Sequence, residues 1–255
     1  GGVASKFSRF IESWSRYSAS RRAKILLTQL NIESEGPLSI LDVGCGRGVL
    51  LNAFEALGHR VIGIERPDSP FEGVSNVRCL AIKDAGIERA SVDVVVLWHV
   101  LEHLDQASDT LSDIVELMNY SASLFIAVPN FGSIQSAIFG KYWFHLDLPR
   151  HLLHFDEKSL GALLEQKGLE LKTQSTWAFD QNVFGFVQSA LNYLPGIPNN
   201  HLYRLLVAWL TLKSGVQLAL YTPLIALLTP LALLELVVSN FAGKGASLIV
   251  KVCKK

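Results

Sequence analysis

Ile40-Leu41-Asp42-Val43-Gly44-Cys45-Gly46-Arg47-Gly48 is an apolar run that passes into a glycine at every second position. Leu38–Val43 reads as a buried strand and Val49–Leu57 as the helix that follows it. Glycines at 44, 46 and 48 let the backbone turn tightly and approach a ligand without a Cβ in the way, at the amino end of that helix. A dinucleotide fingerprint needs its third glycine one position later, where Val49 stands, so the spacing argues against a nicotinamide dehydrogenase. The next strand, Arg60–Glu65, ends on an acid 17 residues beyond Gly48, and a carboxylate there can accept both hydroxyls of a ribose. A solvated strand-end carboxylate is the plain alternative for Glu65, and a small buried residue is the plain reading of Cys45.

Outward from this turn the pattern alternates. Val77–Ile82, Val92–Leu97 and Leu124–Val128 read as strands and Asp105–Met118 as a helix, the βαβ rhythm of a parallel, doubly wound α/β sheet that binds ligands at the carboxyl ends of its strands. A helix near 157–167, a strand near 169–177 and a last strand near 246–252 extend the series. Upstream, Ile25, Leu26, Leu27, Leu30 and Ile32 fall at roughly helical spacing behind Arg21, Arg22 and Lys24. The expected organisation is an N-terminal helical segment (1–36), an α/β core (37–179), an apolar, mainly helical insertion (180–245) and a last core strand (246–255).

The insertion differs in composition from everything around it. Leu202, Leu205, Leu206, Trp209 and Leu210 form one apolar helical stripe, and Ser214–Leu234 is a 21-residue run without a charge, long enough to cross a hydrocarbon core. Pro223 and Pro230 are expected to kink or break a helix there. If the strands on either side belong to one sheet, a single crossing is ruled out. That leaves a two-crossing hairpin, an interfacial or re-entrant patch, or a soluble cap that buries its apolar faces within the protein or a dimer. Lys213, Lys244, Lys251, Lys254 and Lys255 could meet anionic headgroups or form a solvated basic rim.

Composition narrows the classes. The 255 residues are 49% hydrophobic and 18% charged, which is rich for a purely soluble enzyme and points to a membrane-facing part. Twenty-three basic and 23 acidic side chains cancel, leaving no global field for a nucleic-acid backbone. Cys45, Cys79 and Cys253 are too few and scattered for a disulfide framework, and no ligand pair has metal spacing, so a reducing compartment and no metal are expected. The opening Gly-Gly-Val-Ala-Ser-Lys carries no initiator methionine and no secretory h-region, so a fragment that is not exported is expected.

Four separated motifs resemble the class I S-adenosylmethionine-dependent methyltransferases, in the methyltransferase-domain group with a Val-Leu-Glu-His motif. They are LDVGCGRG at 41–48, VIGIE at 61–65, DVVVLWHVLEHL at 93–104 and LDLPRHLLHF at 146–155. The resemblance implies a Rossmann-like seven-stranded sheet whose last strand is antiparallel and inserted between strands five and six. It also implies that Asp42, Gly44, Cys45, Gly46 and Gly48 pack against the methionine part of S-adenosyl-L-methionine and that Glu65 binds its ribose. Many relatives carry an acid near the end of the third strand for the adenine amino group. Ala81 or Ile82 stands there, with Asp84 as a substitute from the loop. Trp98 and His99 would line the cofactor or acceptor pocket, and His103 reads as a helix-start contact.

Phe139–Phe155 concentrates His145, His151, His154, Asp147 and several aromatics, as an acceptor pocket or lid requires. Methyl transfer chiefly needs positioning and exclusion of water, plus a base where a nucleophile must lose a proton. His151 is the first choice for that base, Asp147 its orienting or substrate-binding acid, and His145 the reserve; a purely structural Asp147–His151 clasp is the alternative. The expected function is O-methylation of a hydrophobic or lipid-linked acceptor at the cytoplasmic face of a membrane, through peripheral contact at 202–243, with N- and C-methylation open and oligomers possible. Two other readings are a noncatalytic cofactor-binding membrane scaffold and a soluble small-molecule methyltransferase with a dimerising insertion.

Overall fold

The computed structural model of the chain describes residues 3–30, 36–71, 75–207 and 212–255. Ile32, Trp209 and Leu210 lie outside the described residues. Two compact units emerge. One comprises Phe10–Val128, Ser159–Gln174 and Val250–Lys255, the other Gly1–Arg9, Pro129–Lys158 and Ser175–Ile249.

The first unit is built on a seven-stranded sheet in the order β3-β2-β1-β4-β5-β7-β6. Its strands are β1 (Ser39–Val43), β2 (Arg60–Glu65), β3 (Val77–Cys79), β4 (Val92–Trp98), β5 (Met118–Pro129), β6 (Leu169–Ser175) and β7 (Ser247–Lys254). β1 to β5 pair in parallel. β7 runs the other way, since the amide of Lys255, just past its end, donates to the Gly168 carbonyl just before β6 begins. Val94, Val95 and Val96 are wholly buried, as central strands covered on both faces must be, and their β-branched side chains suit the pleat.

Helices α1 (Val3–Thr28), α2 (Val49–Glu55), α3 (Ala107–Leu117) and α5 (Glu157–Gln166) accompany the sheet. Ala19, Ala23 and Leu26 of α1 fall at i, i+4 and i+7 and enter one buried cluster with Ile40, Phe54, Val94, Val96 and Phe125. Truncating the fully buried Phe54 to alanine would cost about 3–5 kcal/mol, the usual range for an aromatic core deletion. β3 is shorter than its apolar run suggests: the chain leaves the sheet after Cys79 and folds Ile82–Asp84 into a 3₁₀ turn. The Arg78 guanidinium donates to the Ala85 carbonyl, and the Asp84 amide donates to the Ala81 carbonyl, which closes that turn.

The second unit holds α4 (Ile134–Phe139), α6 (Phe179–Tyr193), α7 (His201–Val207) and α8 (Leu212–Phe241). Val187, Leu191, Leu202 and Ala232 form its buried apolar centre, against which Leu224, Ile225 and Leu228 pack. α8 continues through Pro223 and Pro230, where the sequence predicts an interruption. The two prolines are seven residues apart and therefore share a face, and both are exposed, on the side away from buried Ala232 and Leu236. Their rings point off the packed side, and each lost bond frees a carbonyl one turn earlier, at Ala219 and Ala226. The cost of about 3 kcal/mol per interior proline is offset by burial along the opposite face.

Candidate functional site

At the carboxyl ends of β1 and β2 the three glycines of the turn all have left-handed backbones, with φ of 71°, 54° and 71° at Gly44, Gly46 and Gly48. A Cβ on Gly44 would lie 2.3 Å from Val100 Cγ2, so the turn needs glycine for its conformation and its clearance. Glu65 accepts from the Gly46 amide at 2.8 Å through Oε2 and from the Arg66 amide at 3.1 Å through Oε1. The acid that ends β2 thus holds the glycine turn in place, a role its motif position does not announce. Gly63 in VIGIE is equally constrained: a Cβ there would lie 2.4 Å from Leu51 Cδ1 and 2.5 Å from Cys45 Sγ.

Asp42 is buried at the same end of the sheet, and desolvation pushes its carboxyl up to about 7; the Arg22 charge pulls it down and Glu65 raises it further. The Arg22 guanidinium, from α1, lies 4.1 Å from the ring centre of Trp98. Nothing in the sequence marks Arg22 as a site residue, because it reads as one member of a basic helical run. Burial also pushes the Cys45 thiol up to about 12, with Asp42 adding to the shift, which keeps it protonated near neutral pH.

β4 ends at Trp98, and His99 follows with a φ of 56°, unusual for a non-glycine residue. His99 Nδ1 lies 3.2 Å from Oε1 of buried Glu102. Trp98 Nε1, His99 Nε2 and Glu102 Oε2 are buried polar atoms without a protein hydrogen-bond partner. Ile82 is buried and Asp84 exposed on the 3₁₀ turn beyond β3.

These residues fit S-adenosylmethionine. The glycine cradle admits a close ligand, Asp42 has a carboxylate suited to a cationic amino-acid end, Glu65 keeps acceptor lone pairs suited to a diol, and Trp98, His99 and Glu102 each hold a buried polar atom that no protein group satisfies.

In the second unit, His151 is buried and its Nδ1 lies 2.7 Å from the His145 carbonyl. A carbonyl can only accept, so Nδ1 carries a proton and donates to it. Asp147, with a φ of 35°, is expected to orient His151, yet its Oδ2 lies 3.9 Å from His151 Nε2 and 2.8 Å from the Arg150 guanidinium. The Asp147 carboxylate thus lies at hydrogen-bond distance from the Arg150 guanidinium and at the edge of ion-pair range from His151 Nε2, while a backbone carbonyl accepts from His151 Nδ1. His145 packs against α6, its Nε2 3.3 Å from the Gln181 carbonyl and so close to Gly185 that a Cβ there would lie 2.4 Å away. His154 Nε2 donates to the Leu146 carbonyl at 3.1 Å.

Seven strands in this order, with a glycine turn after β1 and an acid closing β2, define the Rossmann-like methyltransferase class. The "Methyltransferase domain" family matches residues 13–174, and the chain belongs to it, with the Rossmann-like fold of class I methyltransferases. The chain is 28% identical over 141 residues to a ubiquinone biosynthesis O-methyltransferase of Rhodopseudomonas palustris (strain HaA2), a match that covers 51% of this chain and 55% of that relative. It thus spans about half the length of such relatives. A SAM-dependent methyltransferase from Archaeoglobus fulgidus shares the fold at 22% identity with a TM-score of 0.54, over 94% of each chain. Geranyl diphosphate C-methyltransferase from Streptomyces coelicolor A3(2), solved with Mg2+, geranyl diphosphate and S-adenosyl-L-homocysteine, shares it at 14% identity and 0.53, over 92% of this chain and 79% of that one.

Proposed function

We propose that the chain O-methylates a hydrophobic, lipid-linked acceptor of the prenylated-phenol type, at the cytoplasmic surface of a membrane that it contacts through 202–243. Support for the acceptor comes from the relatives that act in ubiquinone biosynthesis. The observation that carries the chemistry is the 2.7 Å contact between His151 Nδ1 and the His145 carbonyl, which fixes the tautomer of a general base. S-adenosylmethionine, when bound, would supply an electrophilic methyl group and leave as the thioether S-adenosylhomocysteine. His151 Nε2 takes the hydroxyl proton, so that a phenolate-like oxygen is presented for transfer. Asp42, the glycine turn and Glu65 hold the cofactor, with Cys45, Ile82, Asp84, Trp98 and His99 around it. Asp147, tied to Arg150, shapes the segment that carries the base, and His145 supplies the orienting carbonyl.

The test is labelled methyl transfer to a prenylated catechol in detergent or vesicles. His151→Ala should lower kcat by about 10²- to 10⁴-fold, the usual worth of a positioned general base, while S-adenosylhomocysteine affinity stays within about twofold. Unchanged kcat in a folded variant would remove His151 from the chemistry. Absence of turnover on any prenylated phenol, with transfer to a polar amine, would replace the acceptor class.

A further inference from the structure

We infer that α8 is a monotopic membrane anchor: it lies flat in the lipid interface, its outward half buried among headgroups and upper acyl chains and its inward half fixed to the protein. The inference rests on the membrane reading above and names the surface and the mode of contact.

Three observations carry it. The first is the outward face. Leu220, Leu227, Leu231, Leu234, Val238 and Phe241 are all at least half exposed, spaced seven residues apart at first and then every three or four, along 22 residues that bear no Lys, Arg or Asp and only Glu235, which is buried. At 100° per residue the exposed positions from Thr222 to Phe241 span about half the circumference, far wider than the narrow seam of a coiled coil, and no charged residue flanks them to set a partner helix.

The second is the inward face, which is tied to its unit from end to end. The Tyr221 hydroxyl lies 2.6 Å from His201 Nδ1, Gln135 Nε2 donates to Glu235 Oε2 at 2.7 Å, and Thr176 Oγ1 donates to Asn240 Oδ1 at 2.9 Å. A helix held at three points over about 30 Å cannot cross a bilayer without drawing Gln135, Glu235 and His201 into hydrocarbon, where such groups are costly. The carbonyls of Ala219 and Ala226, which Pro223 and Pro230 cannot bond, also favour a depth where water still reaches.

The third is the end of the helix. Trp177 follows Thr176, whose side chain binds Asn240, so exposed Trp177 and exposed Phe241 each adjoin that contact, with exposed Lys244 three residues beyond Phe241. Aromatics with a cation at the rim match the headgroup zone of an anionic membrane.

The test is cosedimentation of the full chain with phosphatidylcholine vesicles with and without phosphatidylglycerol, for the wild type and for Leu227→Glu/Leu234→Glu. Circular dichroism and S-adenosylhomocysteine binding check that each protein is folded. The wild type should bind, more tightly with phosphatidylglycerol, and the variant should lose roughly tenfold or more in vesicle affinity while it still binds S-adenosylhomocysteine. Nitroxides placed singly at 227, 234 and 241, in a chain with its three native cysteines replaced by serine, should report one shared shallow depth. A folded wild type that binds neither vesicle would overturn the membrane reading itself. Wild-type binding that the double substitution leaves intact, or depths that pass through the bilayer centre, would overturn the inference alone. Loss of a wild-type dimer in the variant, without vesicle binding by either, would assign the face to a second copy.

Discussion

Asp42→Asn isolates a strongly displaced group of the proposed cofactor site. The buried carboxyl gives up its proton near pH 7 in place of 3.8, because burial outweighs the pull of Arg22 and Glu65 adds to the rise. Between those values the folded chain keeps a proton that the unfolded chain has lost, so the group's contribution to stability falls as pH rises from about 4 to about 7, and the full cost stands above that range. A displacement of about 3 pH units corresponds to about 4 kcal/mol, at about 1.36 kcal/mol per unit. Urea unfolding of the wild type and Asp42→Asn at steps from about pH 4.5 to 8.5 reads this directly, since other titrating groups cancel in the difference. The stability of the variant relative to the wild type should climb by an amount approaching 4 kcal/mol and level off above neutrality. A difference that stays flat with pH would refute the reasoning. The ammonium of S-adenosylhomocysteine favours the ionised carboxylate, so binding near pH 7 should release about half a proton per site, measured by calorimetry in buffers of different ionisation enthalpy and absent in Asp42→Asn.

Arg22→Gln removes the charge that lowers the Asp42 carboxyl, and the same difference curve should shift its inflection to higher pH. Glu65→Gln loses an ionised acceptor for the ribose and for the Gly46 amide; S-adenosylhomocysteine affinity measured by calorimetry should fall about tenfold to 150-fold, matching 1.5–3 kcal/mol for a hydrogen bond to a charged group. Gly44→Ala meets both a left-handed backbone and Val100, and should cost roughly 1–3 kcal/mol in urea unfolding. Adding Val100→Ala should restore the steric part and leave the conformational part, a non-additive pair in a double-mutant cycle.

The sheet was legible because its signals are local: apolar runs of strand length, glycines at fixed offsets and an acid at the end of β2. The last strand's place between β5 and β6 came only through resemblance, since no local pattern says which strands pair. Arg22 was hidden because its approach to Trp98 depends on how α1 lies over the sheet, and the Glu65 contact with Gly46 depends on a β-turn geometry that spacing does not encode. The Arg150 contact to Asp147 and the His145 carbonyl that accepts from His151 were equally invisible, because spacing alone does not set how this non-helical segment turns. The prolines of α8 do not break the helix, because the packed face opposite them offsets the cost that the local rule assigns.

The placement of β7 has a consequence for biosynthesis. β6 has β7 as its neighbour in the sheet order, yet β7 follows α6, α7 and α8 in the chain. During translation β6 must therefore wait as an unpaired edge while the most apolar stretch of the protein leaves the ribosome, a period in which both invite aggregation. Early capture of α8 by a bilayer would shield the greasy stretch and hold the nascent chain until the closing strand arrives.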